Sequence, residues 1–315
     1  MKLKNKSVLV TGGAGFIGSH LVDRILNENP SNVVVVDNLY LGNKKNLATA
    51  MPKIKFYEES AESEEIMGQI MADEGVEVVF NLAVTPLPAS LKYPKFAFNE
   101  NVNITMSMCE LLRRDFYRTL IHFSSSEVYG TAEYAPMDEK HPLNGITPYA
   151  ASKSASDHLV WSYYRTFGSD IAIIRPFNTY GPRQNTEDYA GVIPITMKRI
   201  IRGQTLIIEG GGQQTRDFSY VEDVAAAAVK IYESENTRGK VINIASGREV
   251  SIETIIRLLN TDGLSVRYLP KRAGDVDRHL ADIGLAKTLI DYSPTISHEH
   301  GLAETISWYK KEIKC

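Results

Sequence analysis

Ser7-Val8-Leu9-Val10-Thr11-Gly12-Gly13-Ala14-Gly15-Phe16-Ile17-Gly18 decides the fold of this chain. The Val and Leu run reads as a short buried strand, and it gives way to glycines just as an amphipathic stretch, Phe16–Asn27, begins. Strand, glycine turn and helix in that order make an anion cradle. Glycines at 12, 15 and 18 permit a tight turn, close approach of backbone to a pyrophosphate and close helix–strand packing, and the helix N-terminus faces the anion. An ordinary glycine-rich turn has the same composition, so the next strand matters. Asn32–Val36 ends in Asp37, nineteen residues after Gly18. A carboxylate there accepts from the adenine ribose hydroxyls and repels a 2′-phosphate, and Asn38, Leu39 and Tyr40 follow it rather than an arginine. NAD is therefore expected over NADP, with Gly12, Gly15, Phe16, Ile17, Gly18, Asp37 and Asn38 at the cofactor. A turn residue capping a strand is the plainer alternative for Asp37.

Further along, short Val- and Ile-rich runs alternate with longer amphipathic ones. Strands are expected at Ser7–Val10, Asn32–Val36, Ile54–Tyr57, Val76–Phe80, Thr119–Phe123 and Ile171–Ile174. Helices are expected at Phe16–Asn27, Glu64–Ala72, Lys95–Arg114 and Tyr149–Phe167. Apolar strands separated by helices imply a Rossmann-like α/β fold, a doubly wound parallel sheet covered on both faces. After Arg175 the chain is punctuated by Pro176, Gly181, Pro182, Gly191, Pro194 and Gly210–Gly212, as where it leaves the sheet to build a smaller lobe. Val221–Tyr232 reads as a returning helix and Val241–Ala245 as one more core strand. The expected domains are discontinuous: 1–175 plus about 213–245 for the dinucleotide, and about 176–212 and 246–315 for a C-terminal substrate lobe.

Composition narrows the function classes. With 315 residues, 43% of them hydrophobic, the chain can bury a substantial core. A net charge of −3 argues against nucleic acid or an anionic membrane as partner. Basic Met1–Lys6 passes straight into the first strand, and no apolar run approaches membrane-spanning length, so a soluble cytoplasmic protein is expected. Cys109 and Cys315 leave a bridge open but favour free thiols in a reducing compartment. His141, His158, His298 and His300 lack metal-ligand spacing with acidic partners, so no metal is expected; His122, on a strand, is expected in the core.

Chemistry enters at Tyr149 and Lys153. Four apart on a helix, they share one face, and an ammonium beside a phenol favours the phenolate, making a general base usable near neutral pH. Upstream stand Ser125, whose hydroxyl can share the substrate proton, Ser126 and Glu127. Simple alcohol oxidation does not need that carboxylate. A solvated residue at a strand end is its plain alternative, and Asp138 and Glu139, in a loop, are expected to face water.

With these residues in hand, the chain resembles the extended short-chain dehydrogenase/reductase family, in its group of nucleotide-sugar epimerases, dehydratases and decarboxylases. The resemblance covers nearly the whole length: the glycine motif, Ser124–Gly130, Tyr149 through Lys153, Arg175–Arg183, Gln214–Phe218 and Arg272–Asp275. It implies a nucleotide-sugar substrate, Ala83, Tyr149 and Lys153 at the cofactor, and Asn178, Val192, Arg216, Arg272 and Asp275 at the substrate. It also implies a homodimer packed through Lys95–Arg114 and Tyr149–Phe167, with Met108, Leu112, Leu159 and Tyr163 toward the partner. Two positions depart from the family pattern. The usual His-x-Ala-Ala is Asn81-Leu82-Ala83-Val84, followed by Thr85-Pro86-Leu87-Pro88, and Ile104 replaces a glycine.

By the same resemblance, family epimerases carry small residues where Ser126 and Glu127 stand. Many hexose dehydratases carry Thr-Asp-Glu, while mannose-nucleotide dehydratases and uronate decarboxylases share hydroxyl-Ser-Glu with this chain. Asp217 is not typical of the decarboxylases. The first expectation is thus an NAD-dependent 4,6-dehydratase of a UDP-hexose or UDP-N-acetylhexosamine, with Ser125, Ser126, Glu127, Tyr149 and Lys153 as catalytic residues. A 4-epimerase comes next and a uronate decarboxylase third. An inert NAD-binding regulatory protein is the alternative from another class, since fold does not imply function.

Overall fold

The computed structural model describes residues 1–186, 191–271 and 274–313. In chain order its elements are β1 (Ser7–Thr11), α1 (Phe16–Leu26), β2 (Asn32–Val36), β3 (Lys55–Tyr57), α2 (Glu64–Asp73), β4 (Val78–Asn81), α3 (Leu87–Lys92), α4 (Pro94–Arg113), β5 (Thr119–Phe123) and α5 (Pro148–Phe167). They continue with β6 (Asp170–Pro176), β7 (Thr179–Tyr180), α6 (Val192–Ile201), β8 (Leu206–Glu209), β9 (Thr215–Asp217), β10 (Ser219–Tyr220) and α7 (Val221–Glu233). Last come β11 (Val241–Ile244), β12 (Glu249–Ser251), α8 (Ile252–Leu259), β13 (Val266–Leu269), α9 (Gly284–Ile290) and α10 (His298–Glu312).

Among the described residues, a seven-stranded parallel sheet runs in the order β11-β6-β5-β4-β1-β2-β3. The order reverses between β1 and β4, and the carboxyl ends at such a switch point open a crevice for ligands. Apolar side chains cover both faces. One cluster joins Val8, Val10 and Ile121 to α1 and the alanines of α7, whose small side chains let the two helices approach closely. The other joins Leu9, Val79 and Leu120 to α2, α4 and α5. A third cluster lies away from the sheet, where α6, α8 and α10 pack on β8.

Helix α5, which carries Tyr149 and Lys153, is bounded by local chemistry. The Thr147 side chain accepts from Ala150 N, Pro148 opens the first turn, and Gly168 closes the helix at φ +68°. Its long contact with α4 includes small polar residues: Asn101 Nδ2 donates to Ser152 Oγ at 2.9 Å and Thr105 Oγ1 to Ser156 Oγ at 3.0 Å.

One expectation changes. Met108, Leu112 and Tyr163, assigned from the resemblance to a partner subunit, are buried within the protomer; the large apolar residues that α4 and α5 leave exposed include Phe98, Met106, Trp161 and Phe167. The Thr85–Pro88 segment leads into α3, a short helix between β4 and α4. No helix among the described residues is long and apolar enough to cross a membrane.

Candidate active site

A cleft of about 1400 Å³ opens along the carboxyl ends of the sheet. That exceeds the roughly 300–1,000 Å³ of an ordinary small-molecule site, leaving room for a dinucleotide and a second ligand. Gly12, Gly15, Phe16, Ile17, Gly18, Asp37, Asn38 and Ala83 line one part, and Ser125, Ser126, Glu127, Tyr149, Lys153, Asn178, Val192, Arg216 and Asp275 line the rest. Arg272 lies outside the described residues.

The glycine turn has no room for side chains. Gly12 sits at φ +66°, and a Cβ there would stand 2.9 Å from Ala83 N; a Cβ on Gly18 would run into the Gly12 carbonyl oxygen. No side chain caps the start of α1 and no acidic residue lies in its first turn, so its N–H groups fit a pyrophosphate. Asp37 accepts from Ala14 N and Leu39 N, each at 2.9 Å, tying the end of β2 to this turn. Burial raises its carboxyl, against the backbone N–H groups of Leu39, Ala14 and Gly15. Cradle, open helix end and a buried carboxylate at the ribose position fit NAD.

At the end of β5, Ser125 begins a short turn and its Oγ accepts from Glu127 N at 3.2 Å. Tyr149 is hydrogen-bonded to Ser125. Burial pushes its phenol up to about 12, the Ser125 bond opposing and the Glu127 charge adding. The phenol lowered by a neighbouring Lys153, expected from sequence, is not found. The Lys153 ammonium donates instead to the Phe123 carbonyl, and burial brings it down to about 8 against the pull of Asp157. Glu127 keeps some surface open to the cleft yet lies deep enough that burial raises its carboxyl; Arg216 opposes this and Asp275 reinforces it.

Across the cleft, Arg216 Nη2 meets Asp275 Oδ1 at 2.6 Å. Asn178 Nδ2 is buried without a hydrogen-bond partner among the described residues, a donor suited to a phosphate oxygen. Asp217 is a structural anchor. Fully buried, it accepts from Ser246 N and Oγ, Gly247 N and Ala281 N. Glu139 does not simply face water: it is half-buried, accepts from Asn243 N at 2.8 Å, and burial raises its carboxyl.

Sequence reasoning missed three supports of this site. Ser90 Oγ, on α3, accepts from the Tyr149 backbone N at 3.1 Å. Asp157 takes hydrogen bonds of 2.6 Å from Ser124 Oγ and from Arg175 Nη2. Arg175 also lies 4.6 Å from the centre of the Tyr129 ring. Asp157 was within reach of sequence, because it follows Tyr149 and Lys153 at the same four-residue spacing. Nothing local marks Ser90.

The model of the NAD dependent epimerase/dehydratase family matches residues 8–245. The chain belongs to this family. A relative from Methanocaldococcus jannaschii, named a putative UDP-glucose 4-epimerase, is 34% identical over 96% of this chain and 98% of its own. The solved UDP-glucose 4-epimerase of Thermotoga maritima, bound to UDP-glucose, is 32% identical with a TM-score of 0.92, covering 97% of this chain and 99% of that one. A dTDP-glucose 4,6-dehydratase from Streptomyces venezuelae, solved with NAD, is 30% identical with a TM-score of 0.91 over 97% of each chain. As a member of the epimerase/dehydratase family the protein is an NAD-dependent enzyme of nucleotide-sugar chemistry.

Proposed function

We propose that this family member is a nucleotide-sugar 4,6-dehydratase acting on a UDP-hexose or UDP-N-acetylhexosamine. Glu127 carries the proposal. Its carboxyl, raised by burial, lines the same cleft as Ser125, Tyr149 and Lys153, and a 4-epimerase has no proton to move at C5. The Gly12–Gly18 turn and Asp37 would hold NAD, which when bound would supply the hydride chemistry that side chains lack, as acceptor from C4 and donor back to C6.

Tyr149, with Ser125 sharing the proton, deprotonates the C4 hydroxyl. The C4 ketone acidifies the neighbouring C5–H. Glu127 removes that proton and passes it to the C6 hydroxyl, which leaves as water as the C5–C6 double bond forms; C6 then takes back the hydride and C5 a solvent-exchangeable proton, balancing the one removed from the C4 hydroxyl. One carboxyl then serves as base and acid, and Ser126 stands where many hexose dehydratases keep a separate Asp. Asn178, Val192, Arg216, Arg272 and Asp275 hold the nucleotide sugar, with Arg216 and Asn178 at the diphosphate. Exposed Phe98, Met106, Trp161 and Phe167 support a homodimer through α4 and α5; light scattering showing a monomer at micromolar concentration removes that part.

The names of the relatives from M. jannaschii and T. maritima favour a second reading, a UDP-hexose 4-epimerase. Mass spectrometry after incubation with a panel of nucleotide sugars separates the possibilities. Loss of water is expected; unchanged mass with altered NMR couplings means epimerisation, loss of carbon dioxide means decarboxylation, and no turnover of any sugar favours an inert NAD-binding protein. Glu127→Gln keeps shape but cannot act as a base. In deuterium oxide the wild type should place deuterium at C5 and the variant should not, and full turnover by Glu127→Gln sinks the dehydratase proposal.

A further inference from the structure

Side chains, as well as backbone, join the strand ends that frame the glycine turn. Thr11, Asn81 and His122 stand near the ends of β1, β4 and β5, where Thr11 pairs in register with Asn81 and Asn81 with His122. All three are buried. The Thr11 hydroxyl accepts from Leu82 N at 3.0 Å and Ala83 N at 3.1 Å, and gives its proton to Asn81 Oδ1 at 2.7 Å. That bond orients the amide, so Asn81 Nδ2, 3.2 Å from His122 Nδ1, donates to it. A neutral ring that accepts at Nδ1 carries its proton on Nε2. Burial, with the Lys153 charge adding, holds this imidazole well below its ordinary pKa, which keeps it neutral.

The family resemblance puts an imidazole at position 81. Here position 81 is an amide, and the ring comes from its register partner on the next strand. Both ends of the thread touch the site. Thr11 immediately precedes Gly12, which packs against Ala83; His122 immediately precedes Phe123, whose carbonyl takes the Lys153 ammonium. A protonated ring would lose the Nδ1 acceptor and set a second cation near Lys153.

We propose that His122 is a positioning residue for the cofactor site: as a neutral Nδ1 acceptor it orients Asn81 and, through Thr11, holds the Leu82–Ala83 backbone against the glycine turn. His122→Asn places an amide oxygen near the position of Nδ1. His122→Gln carries its amide one carbon farther and leaves Asn81 Nδ2 unpaired, and His122→Leu removes the acceptor altogether. An unpaired buried donor corresponds to a loss on the order of tenfold in NAD affinity if it loosens the turn. Calorimetry of NAD into the stripped protein, with no sugar present, should place His122→Asn with wild type and the Gln and Leu variants about tenfold weaker. Imidazole nitrogen NMR of the wild type should show Nε2 protonated and Nδ1 bare across about pH 5 to 8, where an ordinary His titrates. Equal affinity of the Asn and Gln variants, or a proton on Nδ1, overturns the proposal. If His122→Leu does not fold, the Asn–Gln comparison and the wild-type spectrum still decide, independently of which sugar reaction the enzyme performs.

Discussion

Arg216 and Asp275 form an ion pair at 2.6 Å, and the Glu127 carboxyl feels both charges with opposite sign. The first lowers its pKa and the second raises it, against a larger upward push from burial. A base with a raised pKa is active only above it, so the acid limb of kcat should lie above the ordinary carboxyl range. Asp275→Asn should move that limb to lower pH and Arg216→Gln to higher pH. Limbs that do not move, or move together, would show that Glu127 does not set the profile.

Tyr149→Phe should reduce turnover by roughly 10²–10⁴, the usual worth of a general base, while calorimetry still finds NAD bound at near wild-type affinity. The role proposed for the phenol oxygen lies at the C4 hydroxyl and not in the Gly12–Gly18 turn, so a combined loss of cofactor and activity would refute the assignment.

Lys153 is lowered to about 8, so it carries its charge below that pH and loses it above. Turnover that needs this charge should show kcat/KM falling on an alkaline limb near pH 8 in the free enzyme. Lys153→Met should lose activity and weaken NAD together. An unaltered pH–rate profile in that variant would remove the coupling.

Asp157 and Arg175 are paired at 2.6 Å with almost no exposed surface. Removing one member leaves the other buried and uncompensated, which costs about 3–5 kcal/mol. Asp157→Leu should lower the urea midpoint accordingly, and a shift within experimental error would mean that Arg175 finds another partner.

Asp37 should make NAD bind more tightly than NADP, and Asp37→Asn should narrow that preference by about tenfold by removing the charge that repels a 2′-phosphate. The amide oxygen can replace only one of the two carboxylate oxygens, which accept separately from Ala14 N and Leu39 N, so a modest loss of stability should accompany the change. Tighter binding of NADP to the wild type would contradict the role.

The sequence by itself determined the sheet, its helices and the nucleotide turn, because their signals are local. Apolar runs of strand length, glycines at 12, 15 and 18, and Thr147, Pro148 and Gly168 around α5 act on their own stretch of chain. Tyr149 and Lys153 were legible for the same reason: a four-residue spacing on a helix is a spatial contact. Only the tertiary structure decided what surrounds them. Arg216 meets Asp275 across 59 positions of chain, and Ser90 reaches Tyr149 across the same number. Asn81 meets His122 because β4 and β5 pair in one register, and a slip of one residue between them would put the two side chains on opposite faces of the sheet. Burial followed the same rule. Met108 and Tyr163 went into the protomer's own core, Glu139 came in from a loop, and the Tyr149 phenol rose where a neighbouring ammonium alone would have lowered it. Periodicity names the face of a helix, but what covers that face, and hence the solvation that sets a pKa, comes from distant chain brought alongside.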